Sequence, residues 1–158
     1  MTETVKRSRV AAYVVCVDGE DRMLLARGVL GDGSHEWTVP GGGLDHGEPP
    51  QLAAVREAEE ETGHLVELDA LLGVDSRHLI DPPFLRGPAR DFHSLRIVYA
   101  ARVVGGELRP EADGSTDLAA WIPIGDIPGL RRADLVDVAL ALYRERPALG
   151  LVELPTAD

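Results

Sequence analysis

GGGLDHGEPPQLAAVREAEEETGHL, residues 41–65, holds three consecutive glycines, a Pro-Pro pair and a run of acids, Glu57, Glu59, Glu60 and Glu61, with Arg56 as its one basic residue. Pro49 and Pro50 suit a helix start and Gly63 suits the position just past a helix end, so a glycine-rich loop leads into a helix over 50–62. At about 100° per residue, Glu57, Glu60 and Glu61 fall within about 100° of one another, while Glu59 points roughly the opposite way. That placement works against the helix. Glu57 and Glu61 repel at i,i+4, a cost of about 0.2–0.5 kcal/mol, and acids in the C-terminal half oppose the helix dipole. Two readings are open at this point. One is a solvated acidic face on which Arg56 pairs with Glu60. The other is a site for a hard cation, because Mg²⁺ and Mn²⁺ take oxygen ligands and share them among carboxylates, water and substrate phosphates. The glycines at 41–43 favour the second. They are costly inside a strand or helix but let backbone groups, a carbonyl included, approach a ligand.

Outward from this stretch, strands and helices alternate without an internal repeat. RVAAYVVCV (9–17) is apolar and β-branched, DGED is a turn signal, and MLLAR (23–27) returns as the second arm of a hairpin. GVLGDGSHE (28–36) is a loop and WTVP (37–40) a short strand stopped by proline. HLVELDALLGVDSRHL (64–79) is strand, DPPFLRGPARD (81–91) a proline-rich loop and HSLRIVYAARVV (93–104) the clearest strand. RPEADGSTDLAA is loop, AAWIPI a strand, and RRADLVDVALALYRER (131–146) an amphipathic helix with apolar 135, 138, 139 and 142. The pattern predicts one α/β domain over 1–158, a mixed β-sheet with helices against its faces, and loosely ordered ends at 1–8 and 148–158.

Bulk properties exclude other classes. The chain has 158 residues and a formal net charge of −11, with 16 Lys and Arg against 27 Asp and Glu, which opposes contact with nucleic acid or an anionic membrane. No apolar run reaches the roughly 20 residues that span a bilayer, and MTETVKRSRV has no secretory apolar core. Cys16 is the only cysteine, so no intrachain disulfide forms; its apolar setting reads as core, and a cytoplasmic location is expected. Lys6 is the only lysine, which removes a P-loop or Schiff-base lysine, and GVLGDG orders its glycines wrongly for a dinucleotide fingerprint. His35, His46 and His78 lack zinc spacing.

Gly42, five residues, Glu48, seven residues, then Arg56-Glu57-Ala58-Glu59-Glu60-Glu61-Thr62-Gly63 resembles the Nudix box, G-x5-E-x7-R-E-U-x-E-E-x-G-U with U apolar. Gly42, Glu48, Arg56, Glu57, Glu60, Glu61 and Gly63 fill every fixed position; the final U is His64, a departure that bears on packing after the helix. The resemblance implies a Nudix α/β/α sandwich with a mixed β-sheet between helices, extending over about 9–146. It implies Mg²⁺, or Mn²⁺, held by Glu57, Glu60 and Glu61 with a carbonyl of Gly41 or Gly42. It implies Arg56 as the orienting group, paired with Glu48, and water attack on a diphosphate within a small nucleotide derivative.

Outside the box the residues are weighed as substrate contacts against plainer roles. Arg27 ends a strand before the glycine loop, and Arg86 and Arg90 sit in the loop at 81–91, where guanidinium groups fork onto phosphate or stack on a base. Asp117, and after it Asp113, precede Trp121, where the family often carries a further acid. His93 and Arg96 flank a strand and are weighed as lining for the substrate pocket, and Trp37 and Trp121 read better as core. A homodimer is left open. The alternative function is a nucleotide sensor that binds without cleaving; the complete set of box carboxylates, the acidic charge and a length that suits one domain without a DNA-reading partner weigh against it.

Overall fold

The computed structural model describes residues 4–82 and 90–154. Its elements in chain order are β1 (Val5–Val15), β2 (Arg22–Val29), β3 (His35–Thr38), β4 (Gly41–Gly43), α1 (Pro50–Thr62), β5 (His64–Ile80), β6 (Arg90–Gly106), β7 (Thr116–Pro123), a 3-10 turn (Ile124–Gly129) and α2 (Asp134–Glu145). The strands form a four-stranded sheet, β4-β1-β6-β5, and a three-stranded sheet, β3-β2-β7. β1 runs parallel to β6 and antiparallel to β4, so the larger sheet is mixed.

The second half of β1, residues 11–15, is apolar without alternation because both of its faces are covered, as parallel-sheet strands require. Ala12, Val14 and Cys16 pack with Ala53, Ala54 and Ala58 of α1. Ala11, Tyr13 and Val15 face the other core with Leu135, Val138, Ala139 and Leu142 of α2. The three alanines let α1 approach the sheet closely, whereas α2 fills its side with branched residues. Cys16 is 1% exposed, and burial pushes its thiol up to about 12, which makes it an inert core residue.

Several boundaries move. The DGED turn brings Asp18 N–H to Arg22 O and joins Val17 to Met23, but β2 then leaves β1 and pairs with β3 and β7. The expected hairpin is therefore only its turn, because β1 takes the long β6 as its neighbour. The three glycines are a short edge strand, Ala12 opposite Gly42. Val5–Ser8, expected to be loose, extend β1 against Arg90–His93. The tail is tied at Gly150, whose carbonyl accepts from Val74 N–H at 3.0 Å. β7 begins at Thr116, which puts Asp117 in a strand, and α2 starts at Asp134 rather than 131. No helix among the described residues is long and apolar enough to cross a membrane.

Candidate active site

α1 and α2 treat the helix dipole in opposite ways. α2 has Asp134 and Asp137 in its first turn and Arg144 in its last; α1 has no acid in its first turn and no base in its last. Gly63 ends α1 in the left-handed conformation at φ 79°, its N–H donating to Glu59 O at 2.8 Å, so Glu59, Glu60 and Glu61 occupy the carbonyl end. β4 supplies the wall that Glu57 and Glu61 face. A Cβ on Gly42 would lie 2.8 Å from the Glu57 carboxyl, so only glycine admits that group, and Gly41 N–H donates to Glu61 Oε2 at 3.1 Å.

Arg56 is the hub. Its Nε and Nη2 fork onto Glu48 at 2.9 Å each, Nη1 donates to Glu57 at 3.0 Å and to Glu60 at 3.3 Å, and Nη2 also reaches Gly43 O at 3.3 Å. The fork holds the Glu48 carboxyl down at about 2 and keeps the guanidinium charged. Glu48 also accepts from Asp45 N–H at 3.1 Å and so closes the loop before α1.

Glu61 is 4% exposed. Burial pushes its carboxyl up to about 8; the Gly41 N–H partly offsets this, and the charges of Glu57, Glu111 and Glu60 add to it. Burial also raises Glu57, against the pull of Arg56 and with Glu60 and Glu111 adding to the rise. Among the described residues no three His, Cys, Asp or Glu side chains stand close enough to hold an ion as they are arranged, since Arg56 engages Glu57 and Glu60 while Gly41 engages Glu61. The donor chemistry nevertheless fits a hard divalent cation. Buried carboxylates that raise one another, with one guanidinium between them, are what added positive charge relieves.

Glu111 is the acid that the sequence reading missed. It lies in the loop after β6, where its Oε2 accepts from Thr116 Oγ1 at 2.7 Å and Thr116 N–H at 3.3 Å, and its charge acts on both Glu57 and Glu61. The signal was the hydroxyl at Thr116, five residues on. Asp113 is a turn residue at φ 57°. Asp117 is committed elsewhere: Arg27 forks onto it at 3.0 and 2.9 Å and His35 Nε2 stands 3.1 Å away. Arg27 and Asp117 thus satisfy each other between β2 and β7. Arg90 opens β6, and its carbonyl accepts from Asp81 N–H at 2.7 Å. Arg86 lies outside the described residues. Glu59 is exposed, away from the wall. His93 pairs with Ser76 at 2.8 Å, and Trp37 packs against the core. His64 accepts from Trp121 Nε1–H at 3.3 Å through Nε2, so the polar departure from the box ties the end of α1 to β7.

Beyond the glycine wall, on the α2 side of the larger sheet, a cleft of about 750 Å³ opens. Arg7, Arg9 and Tyr13 of β1 line it with Arg96 of β6 and the start of α2.

A family model described as the NUDIX domain matches residues 7–143. The chain is 32% identical over 163 aligned positions to the 8-oxo-dGDP phosphatase NUDT18 of Homo sapiens, covering 96% of this chain and 46% of that protein. It is 33% identical over 120 residues to an ADP-ribose pyrophosphatase of Methanocaldococcus jannaschii, covering 73% of this chain and 65% of that one. A solved NUDIX hydrolase from Nitrosomonas europaea superimposes with a TM-score of 0.75 at 22% identity, over 96% of this chain and 100% of that chain. The chain spans about half the length of the first curated relatives it matches. A match running from Arg7 to Tyr143 takes in most of β1 and everything after it up to α2, and on that extent the chain belongs to the NUDIX family.

Proposed function

We propose that this chain is a divalent-cation-dependent hydrolase that cleaves the diphosphate linkage of a nucleotide or a nucleoside diphosphate derivative by water attack at phosphorus. The observation that carries the reading is the pair of raised carboxylates, half-buried Glu57 and buried Glu61, pressed against Gly42 and Gly41 at the wrong end of a helix dipole. A fold maintains such an arrangement at a cost in stability, which is the mark of a functional site. The relatives' names, an 8-oxo-dGDP phosphatase and an ADP-ribose pyrophosphatase, support a small nucleotide substrate.

Glu57, Glu60 and Glu61, with a carbonyl of the glycine wall, would hold Mg²⁺ or Mn²⁺. When bound, the ion supplies charge neutralisation at the diphosphate oxygens and lowers the pKa of water. The chain's own residues do the rest. Arg56, fixed by its fork to Glu48, sets the angle of Glu57 and Glu60. Gly41 N–H sets Glu61. Glu111, held by Thr116 and free of any guanidinium among the described residues, would take a proton from the attacking water. A phosphoryl transition state asks little covalent chemistry of a protein, so placement and charge account for the rate.

The test is a panel of nucleoside diphosphate sugars, dinucleoside polyphosphates and nucleoside di- and triphosphates, assayed with Mg²⁺ for release of phosphate and nucleoside monophosphate. Turnover that is lost in EDTA and restored by Mg²⁺ or Mn²⁺ is expected, with Zn²⁺ a poor substitute because its preferred His and Cys ligands are absent from the site. Binding of panel members without turnover would instead favour the sensor reading.

A further inference from the structure

The cleft on the α2 side carries positive charge inside an acidic protein. Five guanidinium groups line it, those of Arg7, Arg9, Arg77, Arg96 and Arg132, against the carboxylates of Glu36, Asp81 and Asp134. Three of the arginines are consumed by the fold. Arg77 and Arg96 bind Asp134 at 2.5 and 3.1 Å, Arg96 also binds Asp75 at 2.5 Å, and Arg132 binds Asp137 at 2.9 Å. Arg7 and Arg9 have no carboxylate partner among the described residues, and the charge of Arg9 acts on the Tyr13 hydroxyl. A chain of net charge −11 repels anions at long range, so two uncommitted guanidinium groups in its cleft are a local exception with a direction.

That direction is set by β1. Arg7, Arg9, Ala11 and Tyr13 share one face of the strand, and the far end of that face meets the glycine wall. Tyr13 is opposite Gly41, and a Cβ on Gly43 would lie 3.4 Å from Arg9 Nε. The same Gly43 carbonyl accepts from Arg56, and Glu61 acts electrostatically on Tyr13, so the cleft and the carboxylates are two sides of one wall. Arg9 therefore stands beside the position of the cleaved diphosphate, and Arg7 is about 7 Å further out along the strand.

We propose that Arg7 and Arg9 form a phosphate subsite selecting substrates that carry a phosphate monoester separate from the diphosphate to be cleaved. The proposal rests on the hydrolase reading above for the diphosphate, but its own content is the second phosphate. A planar guanidinium fork recognises a phosphate monoester with charge-assisted hydrogen bonds. That monoester has two sources: the ribose of the nucleoside, or the group on the other side of the diphosphate.

Binding is measured by calorimetry in EDTA, so that it does not depend on turnover. One arm compares AMP with adenosine 2′,5′-bisphosphate and adenosine 3′,5′-bisphosphate; the other compares ribose 5-phosphate with ribose 1,5-bisphosphate. We expect at least one bisphosphate to bind about tenfold more tightly than its monophosphate, and the responding arm identifies the source. Arg7→Gln with Arg9→Gln should bring the ratio to about one, while Arg7→Lys with Arg9→Lys keeps part of it. The substituted side chains are exposed, so an unchanged Tm serves as the folding control. Equal affinities in both arms, or a preference that survives the Gln double variant, would overturn the proposal. ADP-ribose and its 2′-phosphorylated form, assayed with Mg²⁺, separate this from the hydrolase reading. Turnover of both with equal KM sinks the subsite alone, and binding preference without any turnover sinks the hydrolase alone.

Discussion

Gly42→Ala is the sharpest probe of the wall. Gly42 is not among the positive-φ glycines, so alanine adopts its backbone without strain. The new methyl group would meet the Glu57 carboxyl at 2.8 Å, where ordinary contact needs 3.4–4 Å. The carboxyl must therefore retreat by about 0.6–1.2 Å, the difference between those distances. It is the end of a side chain, so the retreat costs little stability, but it lengthens the 3.0 Å bond from Arg56 and misplaces a cation ligand. A misplacement near 1 Å costs about 10²-fold in rate, so kcat should fall between about 10- and 10²-fold at saturating Mg²⁺. The Mg²⁺ concentration for half-maximal rate should rise with it. Steady-state hydrolysis of the best panel substrate and thermal melting measure the two sides. Glu57→Asp in the Gly42→Ala background, one methylene shorter, should recover part of the rate. A folded Gly42→Ala protein with wild-type kcat and wild-type Mg²⁺ dependence would refute the reasoning, because Glu57 would then have no function against the wall.

Glu57→Gln and Glu61→Gln should each lower kcat by about 10²-fold or more, while Glu59→Gln, on the exposed face, stays near wild type; equal losses at 57 and 59 would misplace the site. Glu111→Gln should lower kcat and flatten the acidic limb of the pH–rate profile, and an unaltered profile would remove Glu111 from proton transfer. In EDTA, Glu61 binds its proton more tightly folded, at about 8, than unfolded, at 4.5. Its contribution is thus fully present below about pH 4.5 and is lost as pH rises through about 8, on the order of 5 kcal/mol. Denaturant unfolding between pH 5 and 8.5 should show that decline in the wild type and a flatter curve for Glu61→Gln; parallel curves would contradict the burial of an ionisable carboxyl. Arg56→Gln should cost more than Arg56→Lys in both kcat and Tm, since lysine keeps charge but not the fork onto Glu48; equal variants would mean that charge alone matters.

What could be read from the residues follows from how local each determinant is. α1 was legible to its ends because proline at the start and glycine past the last turn act within one turn of the chain. The acids were legible as a candidate site because they break a local rule that α2 obeys. The β1–β2 hairpin was misread because DGED does make its turn, but the partner of β1 is chosen by burial on both faces, which favours β6 from 85 residues away. Among the three acids of RPEADGSTDLAA, choosing Glu111 over Asp113 and Asp117 depended on which of them found donors. Thr116 took Glu111, a left-handed turn took Asp113, and Arg27 from another strand took Asp117.

The arginines carry the same lesson in reverse. Its place at a strand end before the glycine loop drew attention to Arg27, which the fold pairs, while Arg7 and Arg9, which have no carboxylate partner among the described residues, were passed over. Whether a charge is free to bind is decided by partners on distant strands. Arg96 is bound because β5 places Asp75 opposite it and α2 begins with Asp134 beside it; Arg9 is available because its guanidinium lies against Gly43, which has no side chain to offer. The glycines thus act twice. On the α1 side their missing side chains admit Glu57, and on the cleft side they leave the Arg9 guanidinium without a carboxylate partner among the described residues. Both effects come from one edge strand, and only its composition was visible beforehand.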